Sequence, residues 1–257
     1  MLQVKVIKLF NILICMNNFV ELSKGIFAVD VGLFLEESST LIIGDIHLGQ
    51  EENLQKQGIL IPQNQYLQVL KTTIKIIEAT NPKIVIINGD LKHNFGNITG
   101  GEWDEISKYL KTIKKYAKMI IIKGNHDLIL KPILDKLKID LVRFYLVGNI
   151  YVCHGDKLPD NKEFSHSKTI IIGHEHPAIK LRDGARLETY KCFLVGKYNK
   201  KNLIVMPSLN PLKEGSDILN EKTLSPFIDE KKLKNFEVYI IGEKIYDFGK
   251  LRNLDQL

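Results

Sequence analysis

The chain has 257 residues, 44% hydrophobic and 26% charged, which fits one globular domain and excludes a disordered or fibrous polymer. Cys15, Cys153 and Cys192 form no C-x-x-C pair, which argues against a cysteine zinc site and for reduced thiols in a cytoplasm. The net charge of +6 favours an anionic partner, but all except four of the 36 basic residues are lysines, and dedicated nucleic-acid grooves usually recruit more arginine.

The opening segment, MLQVKVIKLFNILICMNNF, has an apolar patch too short to cross a bilayer and no small-residue cleavage site. No targeting signal or membrane partner is expected. The segment reads either as an edge strand or as an over-extended start with Met16 as the true beginning. From Leu41 onward one pattern recurs: a short apolar run that ends in a polar tip. Leu41, Ile42 and Ile43 lead to Asp45 and His47. A helix is expected over 63–79, after Pro62, with Leu67, Leu70, Ile74 and Ile77 on one face. Residues 84–87 lead to Asp90, His93 and Asn94, and a second helix is expected over 102–117 with Trp103, Ile106, Leu110, Ile113 and Ala117 inward. Residues 119–122 lead to Asn125, His126 and Asp127. Tyr151, Val152 and Cys153 lead to His154 and Asp156, and residues 170–172 lead to His174 and His176.

Six of the seven histidines lie in these tips, with only His166 elsewhere. Scattered turn residues would not sort themselves this way. The alternation of strands and helices predicts an α/β fold with a largely parallel sheet, whose strand ends are where ligands sit. After His176 the chain changes to short apolar segments around Gly184, Gly196 and Gly242, closing in a hairpin, FEVYIIGEKIYDFGKL. These predict a second sheet packed on the first. Residues 196–235 carry Lys197, Lys200, Lys201 and three prolines with no clear period, and read as a flap beside the site.

Asp45 and His47 are two residues apart, so in an extended segment both point to one side and can chelate one ion. His174 and His176 repeat that spacing. With Asp90, Asn125 and His154 the tips offer seven oxygen and nitrogen ligands, too many for a structural zinc, which takes four. Two ions about 3.5–4 Å apart, sharing one carboxylate, would use them all.

The ordered set GDIHLG, NGDLKHN, KGNHDL, CHGD and GHEHP resembles the calcineurin-like metallophosphoesterase superfamily across residues 44–177. Finer features, GDIHLGQE followed by GILIP and then INGDLKHNFG, resemble archaeal phosphoesterases related to the SbcD nuclease subunit. The resemblance implies a four-layer sandwich of two mixed sheets between helices, as one domain over 1–257. It also implies that Asp45, His47 and His176 hold one divalent metal ion, that Asn125, His154 and His174 hold a second, and that Asp90 bridges them. His126 would be the general acid and Asp127 would orient it. Manganese is the expected metal, with nickel, cobalt, zinc, iron or magnesium as alternatives.

One position departs from the commoner pattern. Where an aspartate or an asparagine-based phosphate contact often follows G-D, this chain has His93 with Asn94 next. His93 either donates to a phosphate oxygen or supports a ligand from behind. Asp156 is expected to brace the loop of His154, and Glu175, between two ligands, to point to solvent. The function expected is hydrolysis of a phosphodiester, nucleotide-like or in nucleic acid, by attack of a metal-bridging hydroxide. The alternatives are a nuclease acting on DNA or RNA ends, which would have only the flap to offer as a cap, and a silent scaffold that keeps the fold. No motif residue that a scaffold would lose is missing.

Overall fold

The computed structural model describes residues 19–60, 64–94, 100–127, 129–183 and 186–254. The N-terminal segment with Met16, and also Pro62 and Gly184, lie outside the described residues.

Four antiparallel strands open the fold: β1 (Phe19–Ser23), β2 (Ile26–Val29), β3 (Gly32–Leu35) and β4 (Thr40–Ile43). Helices α1 (Gln50–Lys56) and α2 (Gln65–Thr80) lead to β5 (Ile84–Asn88), and α3 (Gly100–Ile113) leads to β6 (Lys118–Ile122). After α4 (Lys131–Leu137), β7 (Asp140–Val142) closes a seven-stranded sheet in the order β1 to β7, parallel from β4 onward.

A second, nine-stranded mixed sheet follows. Its centre is three parallel strands, β9 (Ile150–Cys153), β10 (Thr169–Ile172) and β13 (Lys201–Val205). Around them lie β8 (Phe144–Val147), β11 (Pro177–Asp183), the long β12 (Arg186–Tyr198) and β14 (Ser216–Asp217). The closing hairpin is β15 (Glu237–Ile241) with β16 (Ile245–Lys250), and it joins through β12. The second sheet thus begins well before the change of character after His176, and β9 and β10 belong to it.

Strand alternation separates three apolar layers. Ile42, Ile86 and Ile120 face Val152, Ile171, Phe193 and Ile204 between the two sheets. Leu41, Ile43, Val85 and Ile87 face the helices, where Val69, Ile76, Ile106 and Leu110 complete the layer. On the far side of the second sheet, Ile170, Ile172, Leu194 and Val205 are covered by Phe227, Ile228 and Leu233. Among the described residues that outer cover is thin: the short helices α5 (Lys162–His166) and α6 (Glu230–Leu233), a loop between β14 and α6, and Leu251 and Leu254 from the turn after β16. Two mixed sheets flanked by helices are the expected architecture, here with one thin outer layer.

Three expectations shift. Leu67 is 64% exposed, and the buried face of α2 is Val69, Thr73, Ile76, Ile77 and Thr80. Thr73 and Thr80 can sit there because their hydroxyls donate to the carbonyls of Val69 and Ile76, 2.8 and 2.7 Å away. The second helix ends at Ile113, so Ala117 packs against the core from the turn beyond it. Of the segment read as a flap, residues 196–198 and 201–205 are strand and 230–233 are helix, while Met206, Leu209, Ile218, Phe227 and Ile228 are buried. Cys153 and Cys192 are free thiols in the core. Among the described residues no helix is long and apolar enough to cross a membrane.

Candidate metal centre

Strand register sets the site. Ile43 pairs with Ile87 and Asn88 with Ile122 in the first sheet, while Ile172 pairs with both Cys153 and Val205 in the second. Their carboxyl ends therefore finish side by side, and the polar tips converge where the sheets meet. Pairing continues past the strands: the Asp45 N–H donates to the Gly89 carbonyl at 3.1 Å and the His47 N–H to the Asp90 carbonyl at 2.9 Å.

The tips are not extended. Asp45, His47, Asp90, His174 and His176 all have φ between 49° and 65°, half of the ten non-glycine residues with positive φ among those described. Such conformations persist only where the surroundings hold them, and they cluster at functional sites. D-x-H therefore aims two ligands at one point, and H-x-H divides its two between neighbouring ligand sets, both through left-handed backbone where the spacing had suggested a strand.

Three sets of ligand atoms lie within 4.8 Å of one another: Asp45, His47 and His176; Asp90, His154 and His174; and His47, Asp90 and His126. Asp90 Oδ2 stands 3.7 Å from His47 Nε2 and 3.4 Å from His154 Nε2, so it lies between the first two sets. Asn125 Oδ1 is 2.9 Å from His154 Nε2, and His176 Nε2 is 3.1 Å from Asp45 Oδ1. The other carboxylate oxygens are spent on the backbone: Asp45 Oδ2 accepts from the His174 N–H at 3.1 Å and Asp90 Oδ1 from the His126 N–H at 3.0 Å.

Glycines make this approach possible. A Cβ on Gly89 would collide with the ring of His154, one on Gly124 with the Asp90 carboxylate, and one on Gly173 with the Asp45 carboxylate. The glycine beside each ligand motif leaves room for a ligand from another strand.

The site fits cations. Asp45 Oδ1, both ring nitrogens of His47 and His176 Nε2 are buried and make no hydrogen bond. Buried polar atoms left this way are costly, and a divalent ion would satisfy all but the second His47 nitrogen. Electrostatics agree: burial, with His176 next to it, holds His47 well below its usual pKa, which favours the neutral ring that ligates. Burial pushes the Asp90 carboxyl up, but the hydrogen bond and charge of His154 outweigh it and keep Asp90 ionised. His154, despite burial, is raised to about 9 by Asp90 and Asp45.

A model of the calcineurin-like phosphoesterase family matches residues 38–242. The chain belongs to this family. The family is one of metal-dependent phosphoesterases. Among solved structures, a Pseudomonas putida nuclease, MPE, superposes with a TM-score of 0.66 at 17% identity, covering 90% of this chain and 98% of that one. The phosphoesterase Yfce of E. coli gives 0.41 at 12% identity, covering 82% and 98%. An uncharacterised protein of Acanthamoeba polyphaga mimivirus, R555, is 31% identical over 67 residues, which are 25% of this chain and 5% of that protein's length.

Several tip residues sit differently from expectation. Asp127 is fully buried and turns away from the His126 ring: Oδ1 accepts from the N–H groups of Leu91 and Lys92 at 3.0 and 3.4 Å, and Oδ2 from that of Gly124 at 3.0 Å. Burial pushes its pKa up to about 6. His126 Nδ1 meets the His93 carbonyl instead, and the two rings stack with centroids 6.0 Å apart. Glu175 does not point to solvent. It is buried and accepts from the N–H groups of Leu224 and Ser225, both at 2.8 Å. The His154 loop is braced by Ser225, whose hydroxyl donates to the Gly155 carbonyl at 2.7 Å, while Asp156 lines an adjoining cavity. Asn94 donates its N–H to Glu102 at 3.5 Å, and Asp156 does not belong to the three ligand sets.

Sequence reasoning missed the end of β13. There Ser208 Oγ donates to the Asp45 carbonyl at 2.6 Å, and Asn210 Nδ2 donates to Gln50 Oε1 at 2.6 Å. The half-buried Lys191 donates from its ammonium to the carbonyls of Ser208 and Asn210. A signal existed: LIVMPSLN is a sixth apolar run with a polar tip.

Proposed function

We propose that this protein is a phosphoesterase that uses two divalent ions, manganese foremost, to hydrolyse phosphodiester bonds. The observation that carries this reading is the position of Asp90 between the two ligand sets. Asp45, His47 and His176 would hold one ion, Asn125, His154 and His174 the other, and Asp90 would serve both. Such ions, when bound, lower the pKa of a water held at the site and neutralise phosphoryl charge.

The remaining residues divide the work around the substrate. His126 lines a cavity of about 520 Å³ together with His47, Asp90, Asn125, His174 and His176. Its Nδ1–H, donated to the His93 carbonyl, leaves Nε2 to protonate the departing alkoxide. Burial lowers the His126 pKa, which makes the protonated ring a readier donor. The His93 ring, held down to about 4 by burial and then by Lys213, stays neutral at pH 7 and adds no charge beside it. Asp127 fixes the turn that carries Asn125 and His126.

A nuclease is the second reading. A cavity of about 830 Å³ adjoins Asn125 and His154 and is lined by Lys123, Arg143 and Lys157, room enough for a polymeric anion beside the centre. The fold shared with the Pseudomonas putida nuclease agrees with it.

The test is metal analysis joined to a panel of mono- and diesters, assayed with manganese, nickel, cobalt, zinc, iron and magnesium. Two ions per chain and diester cleavage are expected. Fewer than one ion per chain after manganese reconstitution would overturn the reading. Cleavage of DNA that falls steeply with salt while a small aryl diester barely responds would select the nuclease, because only a polymer releases many counterions.

A further inference from the structure

We propose that Lys213 is a specificity-determining residue whose ammonium holds a non-bridging oxygen of the substrate's phosphoryl group. This inference rests on the phosphoesterase reading above. Lys213 lies beyond the ordered motifs, which end at His176, and the sequence alone gives it no more weight than any other lysine.

Its placement is specific. Lys213 is half-buried in the wall of the same cavity as His47, Asp90, Asn125, His126, His174 and His176. The ammonium has no hydrogen bond or ion pair among the described residues. Asp90 and Glu214 line the same cavity but neither pairs with this ammonium, and a phosphoryl oxygen would give it a direct charged partner.

The turn that carries Lys213 is also held. Its N–H donates to the Asn210 carbonyl at 3.2 Å, and Asn210 Oδ1 accepts from the Leu212 N–H at 2.9 Å. Asn210 is tied in turn to Gln50 at the start of α1, and the Ser208 hydroxyl, two residues before it, to the Asp45 carbonyl. One turn therefore braces a ligand of the first set and presents an ammonium to the same cavity. Side chains placed by such supports are suited to position a substrate atom.

The test uses the full chain loaded with manganese and compares wild type with Lys213→Ala, Lys213→Gln and Lys213→Arg. Inorganic phosphate binding is measured by calorimetry, and kcat and KM on an aryl phosphodiester. For the Ala and Gln variants we expect phosphate affinity to fall and KM to rise by about ten- to a hundred-fold, with kcat and manganese content nearly unchanged. Arginine should restore most of the affinity. Wild-type affinity in the Ala variant, full rescue by Gln, a fall in kcat alone, or loss of manganese would each overturn the assignment. If wild type itself binds no phosphate and cleaves no ester, the phosphoesterase reading falls and this inference with it.

Discussion

The Nδ1 atom of His126 meets the main-chain carbonyl of His93, not the carboxylate of Asp127. The ring is thus oriented from the tip of one strand while its own turn is fixed by another group. If Nε2 protonates the leaving oxygen, its help, about 10² to 10⁴ in rate, matters only when that oxygen is basic. His126→Ala should keep both ions, cleave a nitrophenyl ester at a substantial rate and nearly lose an alkyl ester. Equal losses on the two substrates with metals intact would remove His126 from that role.

Asp127 acts on the backbone. An asparagine there offers one acceptor and turns an amide N–H toward donors, so Asp127→Asn should cost about 1–3 kcal/mol. Thermal unfolding should show a Tm several degrees lower, while the preference between aryl and alkyl leaving groups stays as in wild type. A collapse of that preference at unchanged Tm would restore Asp127 as the partner of His126.

Gly89 has φ +78° and lies against the ring of His154. Gly89→Ala adds backbone strain and a clash at one ligand of the second set; it meets the first set only through the main-chain hydrogen bond from Asp45, and the added Cβ strikes none of that set's side chains. Metal analysis should find about one ion fewer per chain than in wild type. Two ions retained would show that the loop yields without cost.

Metal-free protein should have a distinctive pH profile. His154 is raised from 6.5 to about 9, so its contribution to stability is fully present below pH 6.5 and is lost as pH rises through 9. His93 is lowered to about 4, so its effect is opposite in sign and earlier: stability rises as pH climbs from 4 to 6.5. With chelator present, Tm should peak between these windows and decline toward pH 9. Manganese affinity should strengthen across the same upper window, because binding displaces the His154 proton. A metal-free Tm that climbs steadily from pH 6.5 to 9 would contradict the His154 assignment.

The strands that end in ligands were legible, because buried parallel strands read as unbroken apolar runs and their tips hold most of the histidines. The two-residue spacing of Asp45 and His47 was legible as a shared target and not as a conformation. Extended and left-handed backbone can both bring such a pair together, and only the pairing of Asp45 with Gly89 and His47 with Asp90 selects the second. The inward face of α2 was misphased because Thr73 and Thr80 satisfy their hydroxyls within the helix and occupy core positions that an apolar count gives to Leu67. Asp127 and Glu175 reach the N–H groups of Leu91 and Leu224, 36 and 49 residues away in the chain, on segments that local pattern does not specify. The same limit hid Ser208 and Asn210, whose role appears only when β13 is set beside β10.

Each of the two ligand sets draws from both sheets: Asp45 and His47 with His176, and Asp90 with His154 and His174. A bound ion would therefore act as a rivet through the seam of the sandwich, joining points such as Asp45 and His176 that are 131 residues apart along the chain. Closing a chain segment of that length costs on the order of 4 kcal/mol in entropy, and a tie that survives partial opening shrinks the set of open states. Amide exchange in the strands that face each other across the seam, β4 and β5 against β9 and β10, should slow together when manganese is added, so that the chemistry's cofactor doubles as the clasp that makes two sheets open as one.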